Sequence, residues 1–300
     1  MKIEWQISAT DIARVKEVVD KYRNDPWVRD RHSRNLAESK PEVSKETFWQ
    51  VMVSMRLTTL QESGPSGQVA KFNQTRPFPL RYELVAAAED NAKRFIGDVL
   101  RKAGLLRFSK KIPDELSANF YDLERGEWSK ALEQCNRLTV LVSGEIEREV
   151  ADYIDERFKG FGPKQARNVL QELGLTRYEI PVDSRLTRWL NGFGFPIRVN
   201  ATALGDRDFY VFVLDGIQKL CERAGVFPCI FDMAVFVSQD RSHRVNSPAL
   251  SSMLRREHAT ARARLARADT LRSAPRTRAL SGVAASVDCI YVDWPWKRSR

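Results

Sequence analysis

Apolar positions along the first 240 residues recur at helical spacing, and residues suited to helix starts and stops punctuate them. From Ser44 the series Phe48, Met52, Met55 and Thr59 marks one face of a helix, with Pro41 just ahead of its start. Residues 80–103 (LRYELVAAAEDNAKRFIGDVLRKA) read as one long helical pattern that stops at Gly104. Ser143 is placed to N-cap a helix whose buried face is Ile146, Val150, Ile154 and Phe158. Pro163 stands where a helix begins, and Ala166, Val169, Leu170 and Leu173 carry it to Gly174. Two more helices are predicted at about 206–224 and 229–239. No sustained period-2 alternation supports a large sheet, and no internal repeat of about 20–50 residues is visible. The pattern predicts a mainly α chain.

The tail departs from this. From Ser247 the text is rich in Arg, Ala, Ser and Leu and nearly lacks Lys. ARARLARADTLRSAPRTRA reads either as a basic helix interrupted by Pro275 or as a disordered arm. Poor order is the expectation, because little of it can bury a core. Residues 241–300 hold 12 Arg and 1 Lys against 4 acidic groups, so +9 of the net +10 lies there and residues 1–240 carry only +1. If the body binds nucleic acid, its basic groups must be locally clustered.

A chain of 300 residues, 43% hydrophobic and 29% charged, has enough apolar text for one large or two modest domains. That composition excludes a collagen, a disulfide-rich mini-protein and a wholly disordered chain. The richest apolar run, Cys229 to Val237, is broken by Asp232 and is far shorter than the roughly 18 residues of a membrane span. Glu4 and Asp11 lie where a secretory leader would be apolar. Cys135, Cys221, Cys229 and Cys289 are scattered, as in a reducing compartment, and His32, His243 and His258 make no metal-ligand cluster with them. The expectation is a protein that is not secreted, with no metal and no cofactor.

One stretch carries candidate chemistry: Phe158-Lys-Gly-Phe-Gly-Pro-Lys-Gln-Ala-Arg167, followed by Ile180-Pro-Val-Asp-Ser-Arg185. A helix ending near Phe158 meets one starting at Pro163 through a turn with Gly160 and Gly162. Glycines permit positive φ and close approach of another backbone. The free amides of the turn and the first helical turn suit a phosphate oxygen, gripped without reading any base. A plain αα-hairpin explains the glycines but not Lys164. A first-turn lysine sits at the positive end of the helix dipole, which disfavours its charge by about 0.3–1 kcal/mol. That is an accident on a solvated face, or it is the place for an amine that attacks an electrophilic carbon. Asp183, ahead of SRLTRWL, is a good N-cap for the next helix. Capping is compatible with a second role, since it leaves one oxygen free.

These residues resemble a family. GFGPK, a helix, and PVD with its aspartate nineteen residues after the lysine look like the helix-hairpin-helix, Gly/Pro-rich loop and aspartate signature of the HhH-GPD base-excision DNA glycosylases. The resemblance is concentrated in residues 143–192. It implies an all-α fold of two helical lobes with the active-site cleft between them. Residues 1–240 would form the core, one lobe about 45–174 with the hairpin and the other about 1–44 plus 175–240, leaving 241–300 as the Arg-rich tail. Only Cys221, Cys229 and Cys289 follow the motif, widely spaced, so the four-cysteine iron–sulfur cluster of the endonuclease III branch is not expected. The lysine-bearing, cluster-free pattern resembles the 8-oxoguanine glycosylase branches.

The same resemblance implies the roles. Lys164 would displace the base from a flipped-out nucleotide and form an imine that permits β-elimination, with Asp183 stabilising charge on the sugar. Gly160 and Gly162 would meet the DNA backbone; Arg185 and Arg188, just after Asp183, lie where a helix N-terminal region approaches phosphate, with surface solubility as the competing reading. Asn168, one helical turn after Lys164, and Asp232 and Phe236 on the FDMAVF helix would shape the base pocket, with core packing the competing reading for Phe231 and Phe236. Arg56 or Gln61 would plug the gap left by the extruded nucleotide; each also reads as a plain solvated residue. The expected partner is double-stranded DNA containing a damaged or modified base, with an oxidised purine as the leading substrate. The same chemistry on another modified base and a non-enzymatic hairpin module are the alternatives. The chain is expected to act as a monomer, in the nucleoid-bearing cytoplasm or the nucleus.

Overall fold

Short-range capping sets where the helices begin. The computed structural model describes residues 5–58, 67–106, 110–140 and 142–239. Helix α1 (Ala9–Tyr22) starts from a capping box in which Ser8 and Asp11 exchange hydrogen bonds. Asp25 caps α2 (Pro26–Asn35), which has proline at its first position. Ser44 caps α3 (Lys45–Leu57) through the Thr47 amide. There follow α4 (Gln68–Gln74), α5 (Tyr82–Ala86), α6 (Ala92–Lys102), α7 (Lys111–Asp122) and α8 (Trp128–Val140). Ser143 caps α9 (Gly144–Arg157), and Pro163 opens α10 (Pro163–Glu172). Asp183 caps α11 (Ser184–Phe193), Asp206 caps α12 (Arg207–Ala224), and α13 (Pro228–Gln239) ends the described chain. The fold is all-α, with no strand among the described residues, and no helix among them is long and apolar enough to cross a membrane.

The helices enclose two separate apolar cores. One is built from α3 to α10 around Phe48, Trp49, Met52, Ile96, Leu116 and Ile154, all fully buried. The other joins the early helices α1 and α2 to α11, α12 and α13 around Val15, Leu186, Tyr210, Val213 and Phe231. The chain crosses between the cores at residues 36–44, between α2 and α3, and again at residues 173–183, which run without helix from the end of α10 to the cap of α11.

One predicted element breaks. Residues 80–103 are not one helix: α5 and α6 are separated by a 3-10 turn at Glu89–Asn91, and Glu89 takes a positive φ of 46°. Long-range hydrogen bonds override the local preference. The Trp49 indole donates to the Leu80 carbonyl at 2.9 Å, and the Tyr121 hydroxyl donates to Glu89 O at 3.0 Å while accepting from Ala92 N. Thr59, Gln61 and the tail from 241 lie outside the described residues, as does the expectation of poor order for that tail.

Candidate active site

The hairpin is held from behind by buried polar contacts. Asn119 clamps the loop, its Oδ1 accepting from Lys159 N at 2.8 Å and its Nδ2 donating to Lys159 O at 2.9 Å. Gly160 has φ +84°, and a Cβ there would come within 2.5 Å of Arg56 Nε and 2.6 Å of Glu115 Oε2. Both conditions require glycine. Gly162 differs: it is extended at φ −95°, and a Cβ would meet nothing within 4 Å. As the N-cap of α10 it offers no side chain to the first-turn amides. The protein's own packing therefore does not demand glycine at 162, and its face stays open.

Arg56 is placed away from the role of a plug. It is buried at 4% exposure, its Nε donates to Glu115 Oε2 at 2.7 Å, and its Nη2 pairs with the same oxygen. An arginine so enclosed supports the underside of the hairpin loop and cannot enter a duplex. Helical spacing alone could not reveal this, because Glu115 is 59 residues away.

Lys164 emerges in the first turn of α10 with its side chain exposed. The segment that brings Asp183 towards it is fixed by side chains from other helices. Tyr210, fully buried, accepts from Val182 N at 2.8 Å and donates to Ile180 O at 3.1 Å. Upstream, the Glu147 carboxylate accepts the amides of Arg177, Tyr178 and Glu179 at 2.7–2.9 Å. Asp183 Oδ1 then caps α11 by accepting from Arg185 N and Leu186 N, both at 2.9 Å. Its second oxygen is not left free: Arg185 Nη1 lies 3.2 Å from Oδ2.

Lys164 and Asp183 line one cleft of about 230 Å³. Asn168 also lines it, its Nδ2 donating to Gln165 Oε1 at 2.6 Å, as do Arg185, Asp232 and Phe236. The Arg185 guanidinium lies 4.3 Å from the centre of the Phe236 ring, and the Trp27 ring faces Phe236 at 6.4 Å with 33° between planes. Phe231, by contrast, is fully buried against Trp189 in the core. Arg188 donates to Gln239 Oε1 at 2.9 Å. Asp232 is 8% exposed and accepts from Gln171 Nε2 at 3.2 Å. Burial pushes its carboxyl up to about 7; Arg31 opposes this, Asp183 adds to it, and the Gln171 hydrogen bond and Lys164 oppose it. Lys164 on α10 and Asp183 at the cap of α11 thus both act on the Asp232 carboxyl of α13 across a single cavity.

Sequence reasoning did not single out the α2 wall of this cleft, Trp27, Asp30, Arg31 and Arg34. The helix PWVRDRHSRN reads as a polar surface, and nothing local marks Asp30 and Arg31 as buried.

No known family profile matches the chain, and no curated protein matches it. Solved structures do. The fold is similar to the Methanocaldococcus jannaschii 8-oxoguanine glycosylase/lyase in complex with a 15mer DNA containing 8-oxoguanine, at 13% identity and a TM-score of 0.53, covering 75% of this chain and 97% of that one. It is also similar to Methanocaldococcus jannaschii 8-oxoguanine DNA glycosylase, at 13% identity and a TM-score of 0.51, covering 78% of this chain and 97% of that one. The chain shares the all-α fold of these two structures.

Proposed function

Proceeding from that fold, we propose that this chain is a bifunctional DNA glycosylase/AP lyase that excises a damaged or modified base, an oxidised purine such as 8-oxoguanine being the leading substrate. The observation that carries the reading is the convergence of Lys164 and Asp183 on one cleft beside the hairpin. A base inside a duplex is out of reach, so the target nucleotide is extruded into the cleft, at a cost of a few kcal/mol that is least for a damaged pair.

Lys164, as a free amine, attacks C1′ of the deoxyribose. The C–N bond forms as the glycosidic bond breaks, and the departing base takes up a proton. Loss of the remaining amine proton and opening of the C1′–O4′ bond give the imine. Removal of a C2′ proton then breaks the C3′–O3′ bond and cuts the strand, and hydrolysis of the imine frees Lys164. Asp183 stabilises positive charge as it builds on the sugar and assists these proton transfers. The open face at Gly162 and the uncapped first turn of α10 receive the DNA backbone, and the protein acts as a monomer on double-stranded DNA in the nucleoid or nucleus.

Borohydride trapping tests the reading. Wild-type protein should become covalently linked to lesion-bearing duplex through the reduced imine, and Lys164→Gln should not, while still binding duplex. Trapping of the Gln variant at wild-type yield would remove Lys164 as nucleophile. Duplex binding by the wild type with neither excision nor trapping would leave a non-enzymatic hairpin module.

A further inference from the structure

The cleft wall holds a guanidinium two of whose donors the protein itself does not answer. Arg31, on α2, is 6% exposed, and its Nε and Nη1 are shut off from solvent with no hydrogen-bond partner. Its neighbour Arg34 is fully engaged, pairing with Asp30 Oδ2 at 2.8 Å and donating to Glu172 O at 2.8 Å. Asp232 is near enough to favour the Arg31 charge, yet it takes its hydrogen bond from Gln171. A guanidinium does not shed its proton in proteins. Left without acceptors, a buried one is a standing cost to the fold.

What would supply the acceptors is constrained by the rest of the wall. Asn73, 3% exposed, presents to the same cleft a buried Oδ1 that lacks a donor. Asp232 adds a carboxylate oxygen beyond the one held by Gln171. Trp27 and Phe236 provide flat aromatic walls, and Met55 and Met233 apolar ones. A phosphate has no use for an apolar, aromatic slot and no donors for Asn73 and Asp232. A planar base with a carbonyl oxygen beside a ring N–H uses all of them, and arginine is the commonest reader of the guanine carbonyl edge.

Resting on the glycosylase reading above, we infer that Arg31 is a specificity-determining residue that donates to the O6 carbonyl of a flipped guanine-type base, whose N1–H and 2-amino edge faces Asn73 and Asp232. The arginine is kept unsatisfied in the free protein so that the correct base completes it. A base with an amino group at C6 in the same slot, as in 8-oxoadenine, would turn donors towards Arg31 and leave the guanidinium unanswered.

Duplexes bearing 8-oxoguanine, 8-oxoadenine or a preformed abasic site, otherwise identical, test this with wild type and Arg31→Met at fixed salt. Wild type should excise 8-oxoguanine faster than 8-oxoadenine. Arg31→Met should lose about 10- to 100-fold in kcat/KM on 8-oxoguanine and much of that preference, while trapping on the abasic site, which has no base to read, stays at wild-type yield. Without DNA, the variant should melt higher by about 2–4 °C, because two buried donors without acceptors are gone; a structural arginine would move the melting point the other way. Undiminished 8-oxoguanine excision by the variant, equal or reversed wild-type preference, or excision of neither base by a wild type that traps abasic sites would overturn the assignment. So would an equal loss of affinity for undamaged duplex, which would make Arg31 a phosphate ligand. Failure of wild type to trap even the abasic site would instead sink the lyase reading on which the inference rests.

Discussion

Arg167 and Glu179 form an ion pair from which solvent is excluded, with Nε 2.7 Å from Oε2 and exposures of 1% and 0%. Arg167 lies one turn after Lys164 on α10, and Glu179 lies four residues before Asp183. The pair therefore ties the helix that carries the amine to the segment that delivers the carboxylate. Arg167 also donates to Pro163 O at 3.1 Å, and its guanidinium stands 5.0 Å from the Tyr210 ring. Glu179 receives further hydrogen bonds from Arg148 Nε at 3.0 Å and Gln218 Nε2 at 2.9 Å.

Removing one partner leaves the other buried with a single weaker or more exposed counter-charge, Arg148 for Glu179 and Asp152 for Arg167, and breaking a buried pair costs up to about 3–5 kcal/mol. Glu179→Gln and Arg167→Met should each lower stability on that scale in denaturant titrations. The double variant should lose less than the sum of the two, because the interaction between them is lost only once. Additive losses would show that the two side chains act independently.

Asp183→Asn separates capping from chemistry. Asparagine keeps an oxygen for the Arg185 and Leu186 amides and is itself a favoured N-cap. The Arg185 pair it gives up is partly exposed and worth at most about 1 kcal/mol. Melting temperature should hardly move, while excision should slow by at least about 100-fold, the scale of losing a positioned transition-state group. A large melting shift with near-normal turnover would make capping its main role.

Asp232 gives the stability of the free protein a pH signature. Its carboxyl titrates near 4 when unfolded and at about 7 in the fold, raised by burial. Between those values the folded chain holds the extra proton, so this contribution is present below pH 4 and lost as pH rises through 7. Glu147, also raised by burial, adds a slope of the same sign. The informative quantity is therefore the difference between wild type and Asp232→Asn in denaturant titrations from pH 4 to 8. The variant should lose less stability across the window, and parallel curves would contradict the burial of this charge.

What could be read from the chain and what could not divide along sequence distance. Ser44, Ser143, Pro163 and Asp183 announce helix starts because capping acts over two or three residues. The hairpin and its lysine were legible for the same reason. Arg56 and Arg31 were not, because burial of a charged side chain is decided by distant partners: Glu115 for Arg56, and for Arg31 the neighbouring charge of Asp232 on α13. The break at Glu89 belongs to this second class, imposed on a helical pattern by Trp49 and Tyr121.

The two hairpin glycines make a final, opposed pair of predictions. Gly160→Ala places a Cβ at φ +84° and against the side-chain ends of the Arg56–Glu115 pair, which would have to shift. It should destabilise the fold by about 1–3 kcal/mol and weaken DNA binding only as the hairpin distorts. Gly162→Ala meets no protein atom and keeps an ordinary φ, so its melting temperature should match wild type or rise slightly. If the hairpin grips DNA through bare backbone, the added methyl occupies the space where a phosphate approaches the first-turn amides. Affinity for undamaged duplex should then fall several-fold at fixed salt in a fully folded protein. Unchanged affinity for Gly162→Ala would move the backbone contact away from this loop.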